Sequence, residues 1–323
     1  MAGRKHILVT GGAGFVGVNV ADHFARRGWA VTVLDNLSRA GTDRNLAWLR
    51  ERSQVTALKA DVRDASAVAV AVRGKDAVVH LAAQVAVTTS LTDPVTDFEV
   101  NALGTLHVLE AVRQKAPDAT LVFASTNKVY GNLEAVDGPV DEGRPLDFHS
   151  PYGCSKGAAD QYVRDYARCY GLRTVVFRES CIYGQHQYGT EDQGWVAHFM
   201  HAVIRGRPIT IYGDGHQVRD LLDVRDLVRL YELALERIDD CAGRVFNVGG
   251  GHANARSVLE VVKATESLLE TPATYSFSEW REGDQRYFVS DVTQVGAALG
   301  WKPEIGADEG MEHLARWVAT TVD

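Results

Sequence analysis

Short, nearly unbroken apolar runs alternate with stretches of helical period through the first half of the chain. The runs are His6–Thr10, Ala30–Leu34, Val55–Lys59, Ala77–Leu81, Thr120–Ala124 and Arg173–Phe177. Runs of this kind suit strands covered on both faces. Between them, Phe15–Arg27, Ala65–Arg73, Asn101–Lys115 and Tyr152–Tyr170 carry helical spacing. Such alternation predicts a parallel sheet joined by right-handed crossovers, an α/β, Rossmann-type doubly wound fold.

The rhythm changes after Tyr183-Gly184. His186–Trp195 is polar and reads as a loop. A helix over Val196–Arg205, strands over Ile209–Tyr212 and Arg244–Val248, and a helix over Val224–Arg237 follow. Ser257–Glu270 and Asp308–Thr320 read as closing helices. The division expected is a cofactor domain over 1–184, rejoined by about 214–250. A smaller α/β substrate domain takes mainly 185–323.

Composition narrows the classes. A net charge of −8 over 323 residues argues against nonspecific nucleic-acid or anionic-membrane binding. No run approaches the roughly 18 apolar residues of a membrane span, and the apolar stretch before Thr10 is too short for a signal peptide. A cytoplasmic protein is expected. Four scattered cysteines form no Cys-x-x-Cys pair and read as reduced thiols. His198 and His201 share a helix face but lack a third ligand, so no metal is expected.

Thr10-Gly-Gly-Ala-Gly-Phe-Val-Gly17 follows the first run and opens the first helix. Glycines let such a turn bend tightly and approach a pyrophosphate, while the helix N-terminus offers free N–H groups. Gly11, Gly14, Phe15, Val16 and Gly17 are the expected contacts. Asp35 ends the second run; its carboxylate can bind both adenosine-ribose hydroxyls and repel a 2′-phosphate, which favours NAD over NADP. Arg39 stands nearby and pulls weakly the other way. Asp61-Val62 and Leu81-Ala82-Ala83 end the third and fourth runs, where the adenine and pyrophosphate would lie.

Tyr152 and Lys156 stand one turn apart on one helix face, and Ser150-Pro151 puts Tyr152 in the first turn. Ser125-Thr126 supplies hydroxyls at the carboxyl edge of the sheet. Oxidising a secondary alcohol requires a base for the hydroxyl proton. An unperturbed tyrosine ionises near pH 10, and bringing it to neutrality takes roughly 4 kcal/mol. The charges of Lys156 and an oxidised nicotinamide can provide this. In this reading Tyr152 moves the proton, Lys156 also holds the nicotinamide ribose, and Thr126 orients the substrate hydroxyl.

These motifs resemble the extended short-chain dehydrogenase/reductases that act on nucleotide sugars. The resemblance covers almost the whole chain, from Thr10–Gly17 and Asp35-Asn-Leu-Ser38 through Asn101-x-x-Gly104-Thr105 and Tyr152–Lys156 to Gly213–Asp220 and Arg281-x-Gly283-Asp284. It implies cofactor contacts from Asn36, Ser38, Asn101 and Ser125. Within the family, Gln84–Ser90, Ser125–Gly131, Leu146–Gln161 and Asp192–Val196 are most similar to the branch that inverts C2 of CDP-hexoses. The branch implies an NAD-dependent isomerase working through a transient 2-keto sugar. It implies sugar or base contacts from Gln84, Thr88, Ser90, Thr126, Asn127, Trp195 and Val196. Arg219, Arg281 and Arg286 would clamp the diphosphate, or else pair with neighbouring Asp220 and Asp284. Helices Asn101–Arg113 and Tyr152–Arg168 would form the seam of a homodimer or homotetramer.

Three alternatives stand beside this. A 4,6-dehydratase needs an Asp-Glu pair after the Thr, and Asn127-Lys128 occupy those positions. A 4-epimerase of another nucleotide sugar would use the same Tyr and Lys. A non-catalytic NAD-binding protein commonly loses one of them, and this chain keeps both.

Overall fold

The computed structural model describes residues 3–133 and 138–321. Seven parallel strands form the central sheet: β1 (His6–Thr10), β2 (Ala30–Asp35), β3 (Val55–Lys59), β4 (Ala77–His80), β5 (Thr120–Thr126), β6 (Thr174–Glu179) and a last strand, Val245–Val248. Their spatial order is Val245–Val248, β6, β5, β4, β1, β2, β3. The order reverses at β1, which pairs with β2 on one side and β4 on the other. A crevice opens beyond the strand ends at such a reversal.

β1 shows why its residues are uniformly apolar. Ile7 and Val9 enter the core on one face of the sheet, and Leu8 enters the core on the other. Helices Phe15–Arg26, Thr42–Arg52 and Val224–Glu236 cover the first face. Ala65–Val72, Gly104–Lys115 and Ser150–Tyr170 cover the second. A π-helical turn, Glu99–Leu103, leads into Gly104–Lys115. The helix Thr42–Arg52 was not expected, because nearly half of it is charged and it buries only Leu46 and Leu49 among its large apolar side chains.

The remaining residues build two smaller sheets. Val218–Asp223 pairs with Cys181–Tyr183, Ala255–Ser257 and Tyr287–Phe288. Ile209–Tyr212 pairs with Tyr275–Ser278. Helices Trp195–Ile204, Val258–Leu269 and Ala307–Thr320 close a separate core around Met200, Leu221, Val261 and Met311. Ser257 and Glu260 form a reciprocal capping box at the start of Val258–Leu269. Val218–Asp223 carries Arg and Asp among its residues and so lacks a strand signature in sequence. Among the described residues, no helix is long and apolar enough to cross a membrane.

Candidate active site

A cavity of ≈ 910 Å³ runs along the carboxyl edge of the central sheet, from the glycine turn to the C-terminal region. At its first end the glycines are required by close approach. Gly11 takes φ 65°, and a Cβ there would stand 2.8 Å from the Ala82 nitrogen. A Cβ on Gly17 would fall 2.1 Å from the Gly11 carbonyl oxygen. Helix Phe15–Arg26 begins at Gly14 with no side-chain cap and no acidic residue in its first turn. Its N–H groups therefore face the cavity free to meet an anion. Asp35 accepts from the Ala13 N–H at 3.0 Å and the Leu37 N–H at 2.8 Å, one on each oxygen. Each oxygen keeps a lone pair for a ribose hydroxyl. Asp61 is held by Arg63 and Asn36, and the Arg63 hydrogen bonds draw its carboxyl down to about 2.

A buried chain of hydrogen bonds joins this end to the middle of the site. The Thr10 hydroxyl accepts from the Leu81 and Ala82 N–H groups, so its own proton goes to His80 Nδ1 at 2.7 Å. His80 therefore carries its proton on Nε2 and donates to Thr105 Oγ1, which donates to the Asn101 carbonyl. Burial, helped by the Lys156 charge, holds the His80 ring near 3, so it stays neutral.

At the centre, Tyr152, Lys156, Ser125 and Thr126 all reach the cavity wall. Ser150 takes φ 70° and turns the chain into its helix. The first turn is fixed by the Tyr152 N–H, which donates to Ser90 Oγ at 3.1 Å. Lys156 Nζ donates to the Ala124 carbonyl at 2.6 Å. Ser125 donates to Asp160, which also takes a bidentate bond from Arg178. Burial pushes the Tyr152 phenol up to about 12, against the pull of the neighbouring Thr126 hydroxyl. Burial pushes Lys156 down to about 8, opposed mainly by Glu179. The phenol thus starts further from neutrality than the unperturbed value used above. Bringing it to pH 7 takes roughly 7 kcal/mol.

Beside the centre, on the side away from the glycine turn, Lys128 donates to the Gly283 carbonyl at 3.0 Å and lies 3.6 Å from Asp284. Arg219 pairs with the same Asp284 oxygen at 2.9 Å. Arg281 stacks on the Tyr212 ring, 3.7 Å from its centroid, and faces Glu191 and Asp192. Asp220 pairs with neither arginine; it is buried and accepts from Ser180, Ser290 and Gly251.

The cavity wall also carries Gly11, Gly14, Phe15, Val16, Gly17, Asn36, Ser38, Arg39, Asp61, Val62, Leu81, Ala82 and Ala83 at the cofactor end. Gln84, Thr88, Asn127, Trp195, Arg219 and Arg281 lie toward the other. Four residues expected as contacts stand elsewhere. Asn101 is buried behind the wall, bonded to Gln84 and to Ser155 of helix Ser150–Tyr170. Ser90 is buried and is spent on the Tyr152 N–H. Val196 is a core residue under Trp195. Arg286 points to the surface beside Trp280. In each case the residue is not part of the cavity wall.

The structure adds residues that spacing did not show. Asn45, Gln187 and Gln217 line the cavity along with the expected Thr88. Together with the glycine cradle and Asp35, they fit a dinucleotide at one end and a second polar ligand at the other.

A doubly wound sheet with a Thr–Tyr–Lys cluster below a glycine turn defines the short-chain dehydrogenase/reductase class. Comparison with known proteins is specific: the chain belongs to the NAD dependent epimerase/dehydratase family, whose profile matches residues 7–249. It is 42% identical over 335 aligned residues to CDP-paratose 2-epimerase of Salmonella typhi, covering 97% of this chain and 99% of that protein. It is 34% identical over 340 residues to dTDP-glucose 4,6-dehydratase 1 of Escherichia coli, covering 96% and 92%. The fold matches UDP-glucose 4-epimerase of Thermus thermophilus, solved with NAD, at a TM-score of 0.88 and 34% identity, covering 98% and 100%. The protein is an NAD-dependent enzyme of the nucleotide-sugar epimerase/dehydratase type.

Proposed function

We propose that this enzyme is an isomerase that inverts C2 of a CDP-hexose of the paratose/tyvelose type. The observation that carries the reading is the 42% identity to CDP-paratose 2-epimerase along the full length of both chains. The cavity supports it from the chemical side. Water elimination needs an acid and a base beside the catalytic Thr. Here Asn127 is bonded to Gln285 and Lys128 to Gly283, and neither offers a carboxyl. What remains is proton transfer and redox.

In this mechanism Tyr152 takes the proton of the sugar C2 hydroxyl while Thr126 holds that oxygen in line. NAD, when bound, would supply the hydride acceptor, the donor for the return step and a positive charge that favours the phenolate. Lys156 adds its own charge and keeps the helix registered on β5. Tyr152 gives the proton back after the 2-keto sugar has turned over in the cavity. Small side chains on the wall, including Ala82, Ala83, Ala86 and Cys181, leave room for that turn. Asp35 selects the unphosphorylated ribose.

The test is proton NMR of the purified protein with CDP-, UDP- and dTDP-hexoses. Inversion at C2 of the CDP-sugar, without net NADH accumulation, is expected. A 4-keto-6-deoxy product would overturn the reading in favour of dehydration, and inversion at C4 would overturn the position. A homodimer or homotetramer is proposed as well. Val95 and Phe98 on Pro94–Phe98, and Tyr162 on the helix Ser150–Tyr170 packed against it, are 66%, 56% and 48% exposed, apolar side chains that a second copy would cover. Light scattering on the eluted protein decides this, and a monomeric mass would rule it out.

A further inference from the structure

We propose that Lys128 binds the sugar-linked phosphate of the substrate, and that it does so because the reacting carbon is C2. The inference rests on the C2 reading above. In a nucleoside diphosphate hexose, C1 carries the phosphate oxygen. C2 is its immediate neighbour, whereas C4 lies across the ring. A site that presents C2 to Thr126 and Tyr152 must therefore accommodate the anionic phosphate close to the catalytic hydroxyls. A site that presents C4 places that phosphate a ring-width away.

Lys128 stands where the first arrangement needs a cation. It sits on the short 3-10 turn Asn127–Tyr130, two positions after Thr126, and its N–H donates to the Thr126 hydroxyl at 3.2 Å. The base of the side chain is thus fixed to the catalytic hydroxyl. The ammonium reaches Gly283 and Asp284, and Arg219 meets the same Asp284 oxygen. Two cations around one carboxylate leave one positive charge uncompensated. Both cations line the cavity. One of the ammonium's three protons is hydrogen-bonded, to the Gly283 carbonyl, and Asp284 at 3.6 Å is an ion-pair contact, so protons are left for a ligand. A buried ammonium is costly unless paired, and a diphosphate offsets that cost. The other expected arginines do not compete for this place: Arg281 faces Glu191 and Asp192, and Arg286 is on the surface.

A purely structural Lys128 would strap the Arg281–Asp284 loop to the central sheet and ignore the ligand. Calorimetry on the NAD-loaded, full-length protein separates the two, with CDP and CMP as probes and UDP and UMP run alongside. CDP carries the phosphate in question and CMP lacks it. Lys128→Gln keeps a donor for the Gly283 carbonyl while removing the charge. The expected result is CDP binding weakened about 10- to 100-fold, the size of a lost charge-assisted bond. CMP binding should stay within about twofold, which also shows the variant is folded, by the same measure. Lys128→Arg should retain most of the preference for CDP. Equal effects on CDP and CMP, or no effect on either, would overturn the role of Lys128 even if C2 inversion is observed. Inversion at C4 by the wild type would overturn the reading on which the inference rests, whatever the binding data show.

Discussion

Lys156 and Ala124 are joined by a 2.6 Å hydrogen bond from the ammonium to the main-chain carbonyl. The bond sets helix Ser150–Tyr170 against β5, two residues before Thr126. It also keeps an ammonium in a buried place, beneath which lies the Phe123 ring at 4.4 Å. Glu179, Asp160 and Asp97 are the carboxylates whose charges oppose the cost of burial. Asp160 is already committed to Arg178 and Ser125, and Asp97 to Ser155 and Gln84.

Removing that ammonium should raise stability while ending turnover. The folded protein holds the Lys156 proton only up to about pH 8, against 10.5 in the unfolded chain. The unfolded state therefore binds more protons between those values, and stability rises with pH across that window. Below pH 8 the charge costs up to roughly 3 kcal/mol. Lys156→Met should melt above the wild type at pH 7, and the gap should close as pH rises from 8 to 10.5. Thermal melts across that range check this; a variant that melts lower at pH 7 would show that the Ala124 bond outweighs burial.

Tyr152→Phe keeps the ring and loses the proton carrier. Turnover should fall about 10²- to 10⁴-fold, the usual weight of one acid–base group. CDP affinity should be unchanged, because the phenol is placed to act on the sugar and not on the diphosphate. NMR turnover and calorimetry on the same preparation read both quantities.

His80 predicts an acid limb of stability. Its ring is neutral in the fold, near 3, and takes a proton at about 6.5 when unfolded. The unfolded state binds more protons between those values, so the contribution is complete above pH 6.5 and is lost as pH falls toward 3. The loss is on the order of 5 kcal/mol. Denaturant titrations should show it, and His80→Gln should flatten that slope. An unchanged slope in the variant would assign acid sensitivity to other groups.

Gly17→Ala should damage both fold and cofactor site. The added methyl would sit 2.1 Å from the Gly11 carbonyl oxygen, which belongs to a turn with no freedom to retreat because Gly11 itself abuts Ala82. Overpacking of this kind costs about 1–3 kcal/mol. NAD content after purification and the melting temperature should both drop. Full retention of NAD would show that the turn can shift as a unit.

The seven-stranded sheet shows what was legible along the chain. Six of its strands were marked by β-branched runs, and Val245–Val248 by a seventh. The second-half strand Val218–Asp223 was hidden because Arg219, Asp220 and Asp223 interrupt its apolar run, and part of that charge is satisfied by groups distant in sequence. Asp220, for example, draws on Ser180, Gly251 and Ser290. The helix Thr42–Arg52 was missed for a related reason: its buried face is too narrow to register as a period.

By itself the sequence determined the features whose partners lie within a few residues. These are the strand and helix alternation, the glycine turn before Phe15, and Tyr152 one turn before Lys156. Backbone hydrogen bonding and side-chain period act over such short ranges, so local order suffices to read them. Tertiary structure decided which side chains reach the cavity. Ser90 was drawn to the Tyr152 N–H, 62 positions away, and Asn101 to Ser155, 54 away. Arg286 was left on the surface, and Lys128 was brought to Gly283 across 155 residues. Those outcomes depend on which buried groups need a partner once the chain has closed, a requirement that exists only in the folded protein.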